Sequence, residues 1–291
     1  MTRRRRLLLA AVLMAAGLLA GCAAPPRPPG MLGAVQGSGS QTLAAQLARL
    51  RDDPAPPQAR RVIFVGAALH SREDVFDRDV ALLDAVLRPI YGEAYRSVRL
   101  SNVRLYEGER ALPLATVEHL DEVFDTLAAL RRPNDRYIVL LSSHGGPGIL
   151  QLEQPASWQP PWRTLDKTKV AEWAQRLAPQ PSWLIISACF GGSHLRQPLP
   201  EHLIGMAAAA PDRASFGCAN TERNTWFVQA LATALQAARP PGAESLDTLW
   251  QRTLAEVSRL EAVRRVGPPS QPLSWVGPQM TRRFHAAVAD F

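Results

Sequence analysis

The sequence predicts an α/β protein, a three-layer α/β/α sandwich built on a mostly parallel sheet of about six strands. Short apolar runs of strand length alternate along the chain with longer segments whose apolar residues recur at helical spacing. This alternation is typical of a parallel sheet that is covered by helices on both faces. Roughly 230 residues follow the last proline-rich stretch, a length that suits one domain, and no internal repeat is visible.

The first 21 residues are predicted to be a bacterial lipoprotein signal peptide. Four basic residues, Arg3–Arg6, precede an apolar run over residues 7–19 that is too short for a stable membrane span. The following Leu19-Ala20-Gly21-Cys22 resembles a lipobox. We therefore expect cleavage before Cys22 and lipid attachment to its thiol, with an ordinary signal peptide or an uncleaved anchor as alternatives. Ala23, rather than Asp, favours the outer membrane facing the periplasm.

Residues 22–58 are rich in Pro, Ala and Gly, a composition that cannot bury enough apolar surface to fold alone. They are interpreted as a tether that includes a short helix at Leu43–Leu50. Residues 59–291 then form the folded domain.

Net charge gives no reason to expect a nucleic-acid partner. The whole chain is formally +7, but four arginines leave with the signal peptide. The mature chain keeps 29 Lys and Arg against 26 Asp and Glu, and no basic stripe with interleaved aromatic residues is visible.

The first half of the domain is predicted to contain two strands and two helices. The apolar run Val62–Val65 predicts a buried strand. Val75–Leu87 carries apolar residues at helical spacing, which predicts a helix. Ser97–Leu105 is interpreted as the second strand, and Thr116–Leu130 as a helix that Thr116 caps.

The second half is predicted to continue the same alternation and to close with a short strand. Each element is assigned from apolar periodicity and from the residues that punctuate it. In order, these elements are an apolar strand from Tyr137, a helix at Thr168–Leu177, an apolar strand from Trp183, a strand at Leu203–Ala210, helices at Asn224–Ala237 and Leu246–Val263, and a strand at Leu273–Val276.

Two of these apolar strands indicate the functional site. The first leads to His144 and the second to Cys189, and glycines follow each residue closely. If the strands are parallel neighbours, an imidazole and a thiol meet at the C-terminal edge of the sheet, where ligands bind in open α/β folds. A cysteine nucleophile needs such an imidazole. Alone, either residue would more often be a core cysteine or a surface histidine.

The segments Ser143-His144-Gly145 and Ser187-Ala188-Cys189 resemble the catalytic strands of legumain-type C13 cysteine peptidases, which belong to the caspase-like clan. The resemblance covers about residues 60–237 and implies a caspase-like fold. Three further segments support it: Val62–Ala67 is similar to the family's first strand, Asp74–Asp79 to the segment that supplies a pocket arginine, and Ala207–Phe216 to the strand and pocket loop after the nucleophile.

The resemblance implies a cysteine endopeptidase that acts on a peptide or protein substrate without a cofactor. Cys189 would attack the scissile carbonyl, and His144 would act as its base or as the partner of a thiolate. The backbone N–H groups of Gly145 and Cys189 would bind the oxyanion. Arg78 and Ser215 would line a substrate pocket suited to Asn or Asp, although Arg78 could instead be a solvated helix residue paired with a neighbouring aspartate.

The sequence departs from legumain at two positions. Phe190 stands where legumain has an acidic residue after the nucleophile, and Phe76 stands where legumain has the asparagine that orients its histidine. No side chain that orients His144 is therefore identified from the sequence.

The remaining cysteine and histidines receive no catalytic role. Cys218 could pair with Cys189 in a disulfide, because an oxidising periplasm permits one. No spacing of Cys or His predicts a metal site. The histidines without an expected role are His70, His119, His194, His202 and His285.

Two other functions are compatible with the same residues. One is a degenerate caspase-like lipoprotein that binds a partner without cleaving it. The other is a transpeptidase or transamidase, which would share the thioester intermediate with a peptidase.

Overall fold

The computed structural model describes residues 42–103, 112–153 and 162–291. The predicted signal peptide at residues 1–21, the predicted lipidation site Cys22 and residues 104–105 of the second predicted strand lie outside these ranges. The described strands are β1 Arg61–Ala68, β2 Tyr95–Ser101, β3 Asp135–Ser142, β4 Gly145–Gly146, β5 Ile149–Glu153, β6 Trp162–Asp166, β7 Ser182–Ser187, β8 Leu203–Ala207 and β9 Leu273–Val276. The α-helices are α1 Leu43–Arg51, α2 Val75–Tyr91, α3 Val117–Ala129, α4 Lys167–Arg176, α5 Trp226–Ala237, α6 Leu246–Arg264 and α7 Thr281–Phe284.

Six strands form the main sheet in the order β2-β1-β3-β7-β8-β9. All neighbouring strands are parallel except β8 and β9, which are antiparallel. Every strand and every long helix that the sequence predicted is present within the described residues, with ends that differ by a few positions. The predicted sandwich with a mostly parallel sheet of about six strands is confirmed.

The side chains of each central strand alternate between two hydrophobic layers. Phe64, Ile138 and Ile185 pack with helices α2, α5 and α6 on one face of the sheet. Val65 and Val139 pack with α1, α3 and α4 on the other. Because both faces are buried, the central strands are almost continuously apolar, which explains why their period of two is hidden in the sequence.

Helix α1 belongs to the folded unit, although the sequence analysis placed it in the tether. The predicted helix is confirmed: Thr42 caps it, and Leu47 is fully buried among residues of the second layer. Asp53 also joins the sheet, because its carboxylate accepts hydrogen bonds from Arg96 of β2 and lies 3.5 Å from Arg61 of β1. The described part of residues 22–58 therefore packs on the domain.

The sequence analysis did not predict a second, small sheet. Strands β4, β5 and β6 form an antiparallel meander between β3 and α4. The meander begins directly after His144, so it starts at the C-terminal edge of the main sheet. None of the helices within the described ranges has the length and apolarity needed to cross a membrane.

Candidate active site

His144 and Cys189 leave two neighbouring parallel strands at equivalent positions. Ser142 ends β3, Ser187 ends β7, and the two serines are paired in register. The pairing continues for one more residue, because Ser143 N donates to Ser187 O at 3.1 Å. The two predicted catalytic residues thus follow their strands by the same interval and emerge at the same edge of the sheet.

Gly145 allows the ends of these strands to approach each other. A Cβ atom on this residue would overlap the backbone carbonyl oxygen of Cys189. Any other amino acid at position 145 would force the histidine segment away from the cysteine segment. The glycine that the sequence linked to the oxyanion site therefore also has a packing role.

Cys189 lies on a tight turn whose backbone is strained. The next residue, Phe190, is not glycine but adopts a left-handed conformation with φ of 57°. Its N–H donates to Arg213 O at 2.7 Å, which holds this conformation in place. Left-handed conformations of bulky residues are uncommon, and they cluster at functional sites where surrounding contacts enforce them.

Ser215, the predicted pocket residue, contacts the thiol of Cys189. The Sγ atom accepts from Ser215 N at 3.3 Å, and Ser215 Oγ lies 3.7 Å away. The loop after β8 therefore reaches back to the nucleophile. Within the described part of the chain, no hydrogen bond joins Cys189 to His144, although both residues emerge at the same edge of the sheet.

His144 is held by a carboxylate that the sequence analysis missed. Its Nε2 lies 3.3 Å from Glu73 Oε2, and the ring of Phe76 packs edge-on against it at 5.0 Å. Burial lowers the pKa of His144, but interactions with Cys218 and Glu73 outweigh it and raise the pKa to about 9. Glu73 thus stands where the sequence offered only Phe76 as the counterpart of the orienting asparagine.

Cys218 is a second thiol, and it contributes to the raised pKa of His144. Both Cys189 and Cys218 are free in the structure, so the alternative disulfide is not formed. Two free cysteines are therefore associated with the site: Cys189 contacts Ser215, and Cys218 influences the pKa of His144.

His70 belongs to the same cluster, although the sequence gave it no role. Its Nδ1 is 2.6 Å from Glu73 Oε2, and its Nε2 is 2.9 Å from Glu153 Oε2 on β5. The two histidine rings lie 4.6 Å apart and nearly perpendicular. Burial lowers the pKa of His70, but the hydrogen bonds to Glu153 and Glu73 prevail and raise it.

The Glu73 carboxylate is the shared partner of both histidines. Burial raises its pKa, but the hydrogen bonds from His144 and His70 outweigh burial and lower the pKa to about 2. In the sequence, the only trace of this arrangement is a histidine three residues before a glutamate, directly after the first strand. That pattern alone is too common to identify a site.

Arg78 donates hydrogen bonds to the loop that precedes α5. Its Nε donates to Arg223 O at 2.6 Å, and its Nη2 donates to Glu222 O at 2.8 Å. The third nitrogen, Nη1, lies 4.0 Å from Asp74. The predicted pocket arginine therefore fixes loop 222–223 against the start of α2. Nε and Nη2 make these two backbone hydrogen bonds, and Nη1 makes neither of them.

A buried polar cluster lies beneath the two strand ends. Asp79 of α2 is fully buried and accepts hydrogen bonds from Ser142 Oγ, Asn224 Nδ2 and both the N–H and hydroxyl of Thr225. Thr225 Oγ1 also contacts Ser187 Oγ at 2.8 Å. The cluster therefore ties the last residues of β3 and β7 to the start of α5 and to α2.

Comparison with known proteins supports the resemblance that the sequence suggested. The model of the Peptidase C13 family matches residues 125–276, which is more than half of the chain. This match confirms the predicted family resemblance. None of the curated proteins matches the chain.

Solved structures with similar architecture include a secreted C11 cysteine protease from Bacteroides thetaiotaomicron, determined in complex with an irreversible peptide inhibitor. It is 12% identical to this chain, with a TM-score of 0.44. The similarity covers 69% of this chain and 59% of that chain.

Proposed function

Because this chain belongs to the Peptidase C13 family, we propose that it is a cysteine endopeptidase with Cys189 as nucleophile and His144 as acid–base partner. One observation carries the proposal: both residues follow neighbouring parallel strands that are paired in register up to Ser142 and Ser187. The edge at which they emerge is where open α/β sheets bind their ligands.

The chemistry follows from the two side chains. The Cys189 sulfur attacks the scissile carbonyl carbon, the proton of the thiol passes to His144, and that proton then goes to the leaving amine. A thioester remains on Cys189 until water hydrolyses it. The N–H groups of Gly145 and Cys189 stabilise the oxyanion, an interaction typically worth about 3 kcal/mol.

Glu73 is the positioning residue for His144. Its carboxylate faces Nε2 at 3.3 Å, so Nδ1 is the nitrogen that handles the proton of the reaction. Phe76 packs against the ring and restricts its rotation. Together they do the work of the orienting asparagine that the sequence lacks.

The proposal includes specificity for Asn or Asp at the cleavage site. Ser215 and Arg78 have different roles in this specificity. Ser215 places the pocket loop against the Cys189 sulfur. Arg78 braces loop 222–223 and offers Nη1 to a substrate amide or carboxylate oxygen, for which a guanidinium is well suited. Profiling with a peptide library tests this preference, and cleavage after Lys or Arg would contradict it.

The proposed location is the bacterial cell envelope, with the protein anchored by lipid on Cys22 in the outer membrane and facing the periplasm. The support is the sequence of residues 1–22. Acyl chains attached at one cysteine give stable anchoring when more than one is present. The Cys22→Ser variant should leave the membrane fraction, and its retention there would contradict the lipobox assignment.

A peptide-cleavage assay tests the proposed activity against both alternatives. The wild-type chain should release two fragments from a preferred peptide, and Cys189→Ala should release none. A non-cleaving binding module would give no fragments with either chain. An added amine nucleophile distinguishes hydrolysis from transfer, because a transpeptidase would yield the amide of that amine as its main product.

A further inference from the structure

The proposed catalytic histidine and two neighbouring side chains form a cluster of metal-binding type. His70, Glu73 and His144 each offer one ligand atom, and these atoms lie within 4.8 Å of one another. Imidazole nitrogen and carboxylate oxygen are ligands that Zn²⁺ readily takes, and two histidines with one glutamate form a known type of zinc site. We propose that these three residues bind a divalent transition-metal ion, with Zn²⁺ as the best fit.

The distances suit such an ion. Tetrahedral zinc with bonds of about 2.0–2.2 Å holds its ligand atoms roughly 3.3–3.5 Å apart. Glu73 Oε2 and His144 Nε2 are 3.3 Å apart. His70 Nδ1 is 2.6 Å from the same oxygen, so it must withdraw by less than about 1 Å to share a metal ion. The fourth position is left to water.

Residues behind His70 provide independent support. Glu153 Oε2 lies 2.9 Å from His70 Nε2, and the other oxygen of Glu153 accepts from Arg72 Nε at 2.7 Å. A carboxylate behind a histidine keeps the proton on that nitrogen and directs the opposite lone pair toward a metal. His70 is thereby prepared to coordinate through Nδ1, the atom that faces Glu73.

Metal binding would switch off the reaction, an effect that rests on the proposed peptidase function. In the neutral ring, coordination through Nε2 leaves the only ring proton on Nδ1. That nitrogen then has no lone pair with which to accept the proton of the Cys189 thiol. The ion would therefore hold the enzyme inactive until it is removed.

Titration of the full chain with ZnCl₂, purified without a histidine tag, tests the site directly. Calorimetry should show one ion per chain. His70→Ala should weaken binding by roughly a hundredfold or more, and Glu153→Gln by about ten- to a hundredfold. His285→Ala is the matched control, because His285 is exposed and distant in sequence from the cluster. This control should bind like the wild type.

Cobalt distinguishes the proposed ligands from a thiol site. Co²⁺ bound to the Cys189→Ala/Cys218→Ser double variant should keep its visible absorption bands and show no thiolate charge-transfer band. Loss of the visible absorption bands in this variant would show that the cysteines hold the ion and would overturn the assignment. Unchanged zinc affinity in His70→Ala, or no binding by the wild type at micromolar concentrations, would overturn it as well.

Inhibition is measured separately from binding. Zinc should inhibit peptide cleavage by the wild type with the same midpoint as the calorimetric titration, and a chelator should restore activity. Residual cleavage by His70→Ala should require correspondingly more zinc for inhibition. Zinc that binds without inhibiting would overturn the switch and leave the site standing. A chain that binds zinc as expected but cleaves no peptide would overturn the proposed function alone.

Discussion

At the scale of residues, the proposed site draws its side chains from separate segments of the chain. His144 and Cys189 each directly follow an apolar strand, so the linear sequence marks them. Glu73 and His70 come from the loop after β1, and Glu153 comes from the small meander. Their meeting depends on how three separate segments fold over one sheet edge, which no local pattern encodes.

The positioning role of Glu73 predicts a kinetic effect without a binding effect. Glu73→Gln should lower kcat by about a hundredfold and leave KM nearly unchanged, because the amide keeps the shape but no longer holds the charged ring in place. Steady-state kinetics on a profiled peptide measures this. Glu201→Gln, at an exposed position, is the control. A fall in affinity alone, with kcat intact, would contradict the positioning role.

Asp79 predicts a pH effect on stability. Burial raises its pKa to about 6, from about 3.9 in an unfolded chain. Between these values the folded state binds more protons than the unfolded state, so this contribution to stability is present at low pH and is lost as the pH rises through 6. The groups that donate hydrogen bonds to Asp79 are all uncharged, and they belong to Ser142, Asn224 and Thr225.

The Asp79→Asn variant isolates this contribution. Its oxygen can face the N–H donors of Asn224 and Thr225, and its amide can face the two hydroxyls, which can rotate to accept. Urea unfolding at several pH values should show the variant gaining about 2–3 kcal/mol relative to wild type between pH 4 and 7. A stability difference that stays constant with pH would contradict the prediction.

At the scale of elements, the long periodic segments were predicted and the short meander was not. Helices α3 and α5 have clear apolar periodicity and capping threonines, so their positions were readable. Strand β4 is only Gly145–Gly146, and two glycines carry no strand signal. Such a strand exists because its partner β5 and the edge of the main sheet are already in place.

A buried ion pair joins β1 to β3 at the end of the sheet opposite the site. Arg61 donates two hydrogen bonds to the Asp135 carboxylate, at 2.8 and 2.7 Å, and both side chains are buried. Asp135→Ala should destabilise the fold by about 3–5 kcal/mol, because it leaves a buried guanidinium without its main partner. Chemical denaturation measures the loss.

The exposed pair of Arg163 and Glu118 provides the matched control, since its contact of 2.6 Å lies at the surface. Glu118→Ala should cost less than about 1 kcal/mol. Equal losses for the two variants would show that burial of the Asp135 pair does not determine its contribution.

At the scale of the whole molecule, the boundary of the folded domain depends on contacts that composition does not reveal. The proline-rich context of residues 22–58 suggested a tether, yet Leu43, Leu47 and Leu50 are buried in the second hydrophobic layer. Three leucines in a short amphipathic helix are too few to distinguish a docked helix from a solvated one. The docking surface exists only after the sheet has formed.

Truncation tests this boundary. A chain that begins at residue 59 should be less stable than one that begins at residue 42, by at least about 4 kcal/mol, because it loses three buried leucines and the Asp53 contacts to Arg61 and Arg96. Thermal unfolding of the two chains compares them. Equal midpoints would show that α1 adds nothing to the fold.

The central claim, that Cys189 and not Cys218 is the nucleophile, can be tested by covalent labelling with a peptidyl ketone that traps active-site thiols. Cys218 is the alternative nucleophile, because it is a second free thiol and contributes to the raised pKa of His144. Peptide mapping by mass spectrometry should find the label on Cys189, absent in Cys189→Ala, formed more slowly while excess substrate is present, and fully retained in Cys218→Ala. Label on Cys218, or labelling of Cys189→Ala at the wild-type rate, would contradict the assignment.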